Sequence, residues 1–334
     1  MMRRKLLCIM TAALLVSGIL TGCSSYEKKD SGTLSIVTTC FPPYDFARAV
    51  TGGEADITML LCPGAEAHSY EPTPLDIAEI QRCDVFIYLG GEGEVWVDKI
   101  LDSFDTGDMT IIRLFDYIDP LEEEAVAGAS PSGHDHDHAH EEEHDEDEHD
   151  SDEEHSSHGG YDEHIWTSPQ NAIKCVSGIS EALCEANTAE SYIYETNTAD
   201  YIAQLEELDR DFAEMAENAP NDVIVIGDKF PFRYLTHDYD LEYFAAFSGC
   251  SSESEPGVYT MAFLIDEILE HEIDTVFYLE FSTKKLAEKL CAATGAEMLP
   301  LQSCHNVSQE NFENNVTYID LMRQNLKNLK EALY

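Results

Sequence analysis

The chain has 334 residues and a formal net charge of −47, with 66 Asp and Glu residues against 19 Lys and Arg residues. A hydrophobic content of 43% is typical of a folded soluble protein, and the length suffices for one large core or two smaller ones. The acidic excess argues against nucleic acid or an anionic membrane surface as a partner and fits a cationic ligand.

The first residues predict a targeting segment. A basic stretch at 3–5 precedes a short apolar run, and the sequence LTGC ends at Cys23. Small residues before a cysteine resemble a bacterial lipobox, so we predict a signal peptide over 1–22, lipidation of Cys23 and a polar tether over 23–32. An ordinary cleaved signal or an uncleaved anchor is the alternative, and no later run is long and apolar enough to span a bilayer.

Eight short apolar runs predict strands, and amphipathic stretches between most of them predict helices. This alternation is typical of parallel strands that are buried on both faces. We therefore predict an α/β fold of two (β/α)4 lobes with parallel sheets, with an N-terminal lobe over 33–185 and a C-terminal lobe over 220–334. The runs are 34–39, 56–61, 84–90 and 109–115 in the first half, and 222–227, 240–247, 274–281 and 296–302 in the second.

A long connecting helix is predicted over 186–219, between the two lobes. About thirty helical residues span about 45 Å, which is enough to run along both lobes. A coiled-coil dimer seam is the alternative, but the apolar stripe covers too few heptads to favour it, so we expect a monomer. The stripe steps by three and four along the chain: Ile202, Leu205, Leu208, Phe212 and Met215.

The segment over about 121–160 interrupts the first lobe. Its central tract, 133–159, contains eight of the 13 histidines and 13 acidic residues, without Lys or Arg. Such a composition lacks the apolar surface to fold alone, so we predict a disordered loop. Flexible ligands bind weakly because they lose conformational entropy, and we expect the tract to collect metal beside a tighter site elsewhere.

Three histidines outside the tract fall where the two lobes would face each other. His68 follows the second strand of the first lobe, His164 follows the insertion, and His305 follows the last strand of the second lobe. Ligands of open parallel sheets bind beyond the carboxyl ends of the strands. Three neutral imidazoles with one oxygen ligand make a tetrahedral zinc site. No HExxH or GxSxG motif indicates a hydrolase.

The oxygen ligand has two candidates, Glu280 and Asp228, each at a predicted strand end of the second lobe. Glu280 is our first choice, although a carboxylate there can instead cap the following helix. A disulfide between Cys250 and Cys304 would stabilise the loop that carries His305, and two buried thiols are the alternative.

At three places the chain resembles the zinc/manganese ABC-transporter solute-binding lipoproteins. The stretches are AHSYEPTPLDIAEIQRCDVFIYLGGEGEVWVDKIL (67–101), DEHIWTSPQNAI (162–173) and TYIDLMRQNLKNLKEAL (317–333), and the resemblance covers 33–334. It implies two (β/α)4 lobes on a backbone helix, with one metal in the cleft between the lobes. Many zinc-type members carry an acidic, histidine-rich loop in the corresponding place.

Residue by residue, the resemblance implies His68 and His164 as the first two ligands. The third family ligand, five residues before the Tyr of an F-x-Y motif, falls on Lys229, whose ammonium has no lone pair to donate. Asp228 could substitute, and His305 lies near the place of the fourth ligand. Three nitrogens would favour zinc over manganese.

The sequence therefore predicts a non-enzymatic lipoprotein that binds Zn²⁺ and delivers it to an ABC importer, a permease with a cytoplasmic ATPase. It would lie on the outer face of the bacterial cytoplasmic membrane and touch that membrane only through its lipid anchor. A manganese importer component and a surface zinc buffer or adhesin without a transporter are the alternatives.

Overall fold

A computed structural model describes residues 33–124, 126–128, 160–249, 251 and 256–334. The strands of these residues are β1 Ser35–Thr38, β2 Asp56–Met59, β3 Val85–Tyr88, β4 Thr110–Arg113, β5 Val223–Phe230, β6 Glu242–Ser248, β7 Thr275–Tyr278 and β8 Glu297–Pro300. They form two four-stranded sheets, in the orders β2-β1-β3-β4 and β6-β5-β7-β8, and every pairing is parallel. The predicted fold class is confirmed, because each predicted apolar run coincides with one strand, although β5 and β6 extend three residues and one residue beyond their runs.

Helices connect the strands and cover the sheets. Those of the described residues are α1 Phe41–Thr51, α2 Pro74–Ile80, α3 Val95–Leu101, α4 Pro169–Ala186, α5 Ser191–Asn218, α6 Arg233–Asp238, α7 Val258–Glu270, α8 Lys285–Thr294, α9 Gln309–Glu313 and α10 Tyr318–Leu333. Side-chain caps determine where several begin: the hydroxyls of Thr73, Ser168 and Thr317 accept backbone N–H bonds in the first turns of α2, α4 and α10. Among the described residues, no helix combines the length and the apolarity that a membrane crossing needs.

The long helix α5 joins the lobes and shares one hydrophobic core with both. Leu205, Leu208 and Phe212 lie in the same cluster as Phe46 of the first lobe and Ile226 of the second. The helix is 28 residues long and packs against α1, α4 and α10. A continuous core of this kind makes the helix a stiff connector rather than a hinge.

The buried face of α5 begins earlier than the apolar stripe. Thr198 is buried because its hydroxyl donates a 2.7 Å hydrogen bond to the Ser180 hydroxyl of α4. The hydroxyl of Tyr201 likewise donates to Asp45 of α1, at 3.1 Å. Hydrogen-bonded polar side chains of this kind extend the buried face of α5 to residues that precede the apolar stripe.

Both ends of the predicted disordered loop belong to the fold. Glu122 and Tyr161 form an antiparallel bridge, Asp162 N donates to Leu121 O at 2.9 Å, and Val126 is buried. The ordered lobe is therefore longer here than the composition indicates. Residues 1–32 with Cys23, the histidine tract 133–159 and Cys250 lie outside the described residues.

Candidate metal centre

The three predicted histidines come from three separate loops and meet between the lobes. His68 lies in a 3₁₀ turn, Ala67–Ser69, in the loop after β2. His164 immediately precedes a second 3₁₀ turn, Ile165–Thr167, which leads into α4. His305 follows β8. Parallel strands end at the same edge of their sheet, so the loops after β2 and β8 can face a common cleft.

The imidazole rings form a nearly equilateral triangle. Ring centroids are 5.6 Å apart for His68 and His164, 5.5 Å for His68 and His305, and 5.7 Å for His164 and His305. One nitrogen from each ring lies within 4.8 Å of the other two. Tetrahedral zinc, with Zn–N bonds of about 2.0–2.1 Å, holds its nitrogens about 3.3 Å apart, so small side-chain rotations complete the geometry.

Asp162 orients the ring of His164. Its Oδ1 lies 3.1 Å from His164 Nδ1 and accepts the backbone N–H of His164 at 2.8 Å. His164 itself is buried. Because Nδ1 faces this carboxylate, Nε2 is left to face the cleft, which is the arrangement found in carboxylate–histidine–zinc triads.

Glu163 makes the corresponding contact with His68. Its Oε1 lies 3.3 Å from His68 Nδ1, and its Oε2 accepts the Gly93 N–H at 2.8 Å. The glycines of the loop after β3 leave room for it, since a Cβ at Gly91 or Gly93 would lie 2.5 or 2.8 Å from Glu163 atoms. A larger residue at either position would displace this carboxylate from the histidine.

Contacts from the first lobe position His305. The indole ring of Trp166 lies 4.7 Å from the His305 ring, and its Nε1 donates to Ser303 O at 2.8 Å. The carbonyl of His305 accepts from Phe41 N, at the start of α1, at 3.2 Å. Although His305 belongs to the second lobe, its loop is therefore fixed against the first.

The pKa values of His164, His305 and Glu163 are shifted in different directions. Burial alone would lower the pKa of His164, but the adjacent Asp162 carboxylate raises it above its ordinary value. Burial and the two neighbouring imidazoles lower the pKa of His305. Burial would raise the pKa of Glu163, but the hydrogen bond with His68 and the charges of His164 and His305 lower it, so this carboxylate is ionised at neutral pH.

Glu280, the predicted oxygen ligand, lines the same cleft but has its own partner. Its carboxylate accepts hydrogen bonds from Ser303 N at 2.8 Å and from the Ser303 hydroxyl at 2.6 Å. Burial raises its pKa. It is not part of the three-histidine cluster.

Asp228 and Lys229, in the register-shifted part of β5, also line the cleft. Asp228 Oδ1 accepts the Lys229 N–H at 2.9 Å. Cys304, which precedes His305 with a φ of 59°, is buried. Its predicted disulfide partner Cys250 lies outside the described residues, so that pairing stays a prediction.

Sequence reasoning singled out the histidines but not the groups that hold them. Asp162 and Glu163 immediately precede His164 in the chain. Carboxylates commonly orient metal-binding histidines, so this position could have indicated their role. Trp166 and Asn306 had no such signal, because their partners are 137 and more than 240 residues away in the chain.

Two parallel sheets on a common helix, with a ligand cleft at the strand ends between the lobes, define a two-lobed solute-binding protein. The chain belongs to the ZnuA family: the family model described as zinc-uptake complex component A, periplasmic, matches residues 36–332.

Curated relatives support this membership. The chain is 32% identical over 300 residues to the high-affinity zinc uptake system protein ZnuA of Bacillus subtilis, a match covering 90% of this chain and 88% of the relative. It is 31% identical over 329 residues to the zinc-binding lipoprotein AdcA of Streptococcus pneumoniae, which covers 96% of this chain. The chain spans about 60% of the length of AdcA.

Solved structures share the fold. The Zn(II)-bound ZnuA-like domain of Streptococcus pneumoniae AdcA superposes with a TM-score of 0.71 at 29% identity, covering 90% of this chain and 99% of that domain. The metal-dependent lipoprotein YcdH from Bacillus subtilis gives a TM-score of 0.72 at 28% identity and covers 90% of this chain and all of its own.

Proposed function

We propose that the protein captures Zn²⁺ outside the cytoplasm and delivers it to an ABC importer. The observation that carries this proposal is the convergence of three imidazoles from His68, His164 and His305 in one cleft. Nitrogen-rich ligation favours zinc over manganese, which prefers oxygen ligands. The names of the relatives, zinc-binding lipoprotein and high-affinity zinc uptake system protein, support the same cargo.

The three histidines are the proposed ligands, and an oxygen donor takes the fourth position. Glu280 can take it only by leaving Ser303, whose N–H and hydroxyl both donate to its carboxylate. Asp228 is the other protein candidate. Binding between the lobes would present a loaded surface to the permease, and this role needs no catalytic step.

A lipid on Cys23 would keep the protein at the outer face of the cytoplasmic membrane. There it can meet the permease, whose cytoplasmic ATPase drives import, and it needs no other contact with the bilayer. The lipobox-like sequence supports this part of the proposal. We expect the protein to act as a monomer.

Metal titration tests the site. We expect the purified protein to bind one Zn²⁺ tightly, and His68→Ala, His164→Ala and His305→Ala each to abolish that binding. His237→Ala and His271→Ala are matched controls, because their rings contact Asp238 and Glu267 instead. Tight binding that persists in His305→Ala would exclude this residue from the site. Tighter binding of Mn²⁺ than of Zn²⁺ would overturn the assignment of zinc as the cargo.

Delivery is tested with the reconstituted permease and ATPase. The zinc-loaded protein should stimulate ATP hydrolysis more than the metal-free protein does, because the permease must recognise the loaded form. Equal stimulation by both forms, or none by either, would contradict the importer role.

A further inference from the structure

The cleft around the three histidines is larger than a bare ion requires. Its volume is about 480 Å³. A zinc ion with ligand bonds of about 2.0–2.2 Å occupies only one end of such a space. The volume instead falls within the range of small-molecule sites, roughly 300–1,000 Å³.

Three lysines line this cleft together with the histidines: Lys229, Lys285 and Lys289. Lys229 is half-buried in β5, and Lys285 and Lys289 lie one turn apart on α8. Within the described ranges, none of their ammonium groups forms an ion pair with a carboxylate. Three lysines in one cleft are unusual in a chain that has only 19 basic residues against 66 acidic ones.

Among the residues that the structure describes, three carboxylates, Glu66, Asp228 and Glu280, also line the cleft, but none of them forms an ion pair with these lysines. Glu280 is bound to Ser303, Asp228 Oδ1 accepts the backbone N–H of Lys229, and Glu66 is exposed. Each is engaged or solvated, so the three ammonium groups remain available to an anion that enters the cleft.

Apolar side chains complete the lining. Phe247, Leu279, Met261 and Leu286 offer surface for a carbon skeleton. Ligand sites of this kind combine apolar walls with a few charged groups that determine orientation. A carboxylate oxygen can bind zinc and can also pair with lysine. An organic acid with two or more carboxylates can therefore bind both a zinc ion at the histidines and the ammonium groups of the lysines.

We propose that the cleft binds Zn²⁺ together with a small polycarboxylate. One carboxylate would take the fourth zinc position, and another would pair with Lys229, Lys285 and Lys289. This inference rests on the proposed zinc-binding function and makes the cargo a zinc–organic acid complex rather than the bare ion.

Calorimetric titration with citrate as the probe tests the inference. We expect one citrate per zinc-loaded chain and binding at least about tenfold weaker without the metal, because the metal–carboxylate bond is then missing. Lys229→Met and the double variant Lys285→Ala/Lys289→Ala should each weaken citrate binding about tenfold, the value of one charge-assisted hydrogen bond. Lys327→Ala, an exposed lysine on α10, should change nothing.

A Co²⁺-loaded sample reports on the coordination itself. Citrate should change its visible absorption spectrum if a carboxylate enters the coordination shell, and the metal content after dialysis should stay at one equivalent. An unchanged spectrum, loss of the metal to citrate, or lysine variants that bind citrate as tightly as the wild type would overturn the proposal. Phosphate that binds as tightly as citrate would also overturn it.

Three further outcomes separate this inference from the proposed function. If Glu280→Gln abolishes tight zinc binding as the histidine variants do, Glu280 holds the fourth position and the co-ligand proposal fails alone. The co-ligand proposal also fails alone if the protein binds one equivalent of zinc but does not bind citrate. If zinc binding survives in the histidine variants, the zinc site itself is wrong.

Discussion

Two consecutive carboxylates serve two different histidines of the site. Asp162 contacts Nδ1 of the next-but-one residue, His164, whereas Glu163 contacts Nδ1 of His68, which is 95 positions earlier in the chain. A carboxylate on Nδ1 fixes the ring orientation and raises the basicity of Nε2. Short-range and long-range pairing thus orient two of the proposed ligands.

Glu163→Gln should weaken zinc binding about tenfold, because the neutral amide keeps the shape of the side chain but loses the charge that orients His68. A competition titration against a chelator of known affinity measures the change. Glu92→Gln, an exposed acid in the neighbouring loop, is the matched control and should bind as the wild type does. Equal affinities in the two variants would show that the Glu163 charge has no role in metal binding.

Zinc binding near pH 7 should release more protons from His164 than from an ordinary histidine. The ordinary imidazole value is 6.5 and the pKa of His164 is raised above it, so the metal-free ring keeps its proton where a free histidine loses it. Zinc binds only the neutral ring, so affinity should rise with pH until that pKa is passed. His305, with a lowered pKa, should release none.

Calorimetry in buffers of different ionisation enthalpy counts the released protons. Asp162→Asn removes the charge that raises the pKa of His164, so this variant should release fewer protons at pH 7. Circular dichroism checks that it folds. An unchanged proton count would show that Asp162 does not control the ionisation of His164.

At the scale of elements, the loop after β8 depends on the loop after β2. Asn306 Nδ2 donates to the carbonyls of Cys62 and Ala65, at 2.8 and 2.9 Å, and Gly64 N donates to Val307 O at 2.8 Å. These bonds join the loop that carries His305 to the one that leads to His68. The loops of these two proposed ligands, His68 and His305, are therefore joined by direct hydrogen bonds.

Asn306→Ala should weaken zinc binding and lower the free energy of unfolding by about 1–3 kcal/mol, because two part-buried carbonyls lose their donor. Urea denaturation of the metal-free protein and zinc titration measure the two effects. Asn314→Ala, at the exposed end of α9, is the control. Unchanged zinc affinity despite a loss of stability would show that this link supports the fold but not the site.

At the scale of the whole molecule, α5 and the shared core hold the two lobes together. The cluster that contains Phe46, Leu208 and Ile226 includes residues of both sheets. The site lies where the strand ends of both lobes face each other, so a stiff frame presets the distance between its ligands.

Deletion of the histidine tract, 133–159, should leave one tight zinc equivalent and remove only weak additional binding. The tight site uses none of these residues, and flexible imidazoles bind with modest affinity because they must be ordered first. Titration of the deleted protein beside the full chain measures both classes of site. Loss of the tight equivalent would move the principal site into the tract.

The sequence by itself determined the strands, the long helix and the three histidines. Runs of apolar residues and an apolar stripe at helical spacing are local signals that can be read from the sequence. A histidine that follows a predicted parallel strand is expected at the edge of the sheet where ligands bind. The predicted connecting helix, 186–219, and the predicted insertion, about 121–160, were less accurate. Ala186 ends α4 and α5 begins only at Ser191, and Val126 is buried in the core that both lobes share.

Only the tertiary structure decided which groups surround the metal site. Whether Glu280 faces the histidines or Ser303, and whether Glu163 reaches His68, depends on loops far apart in sequence that fold against each other. The lysines of the cleft, from β5 and α8, come together in the same way. The local sequence pattern does not predict such pairings, since they form between segments that are far apart in the chain.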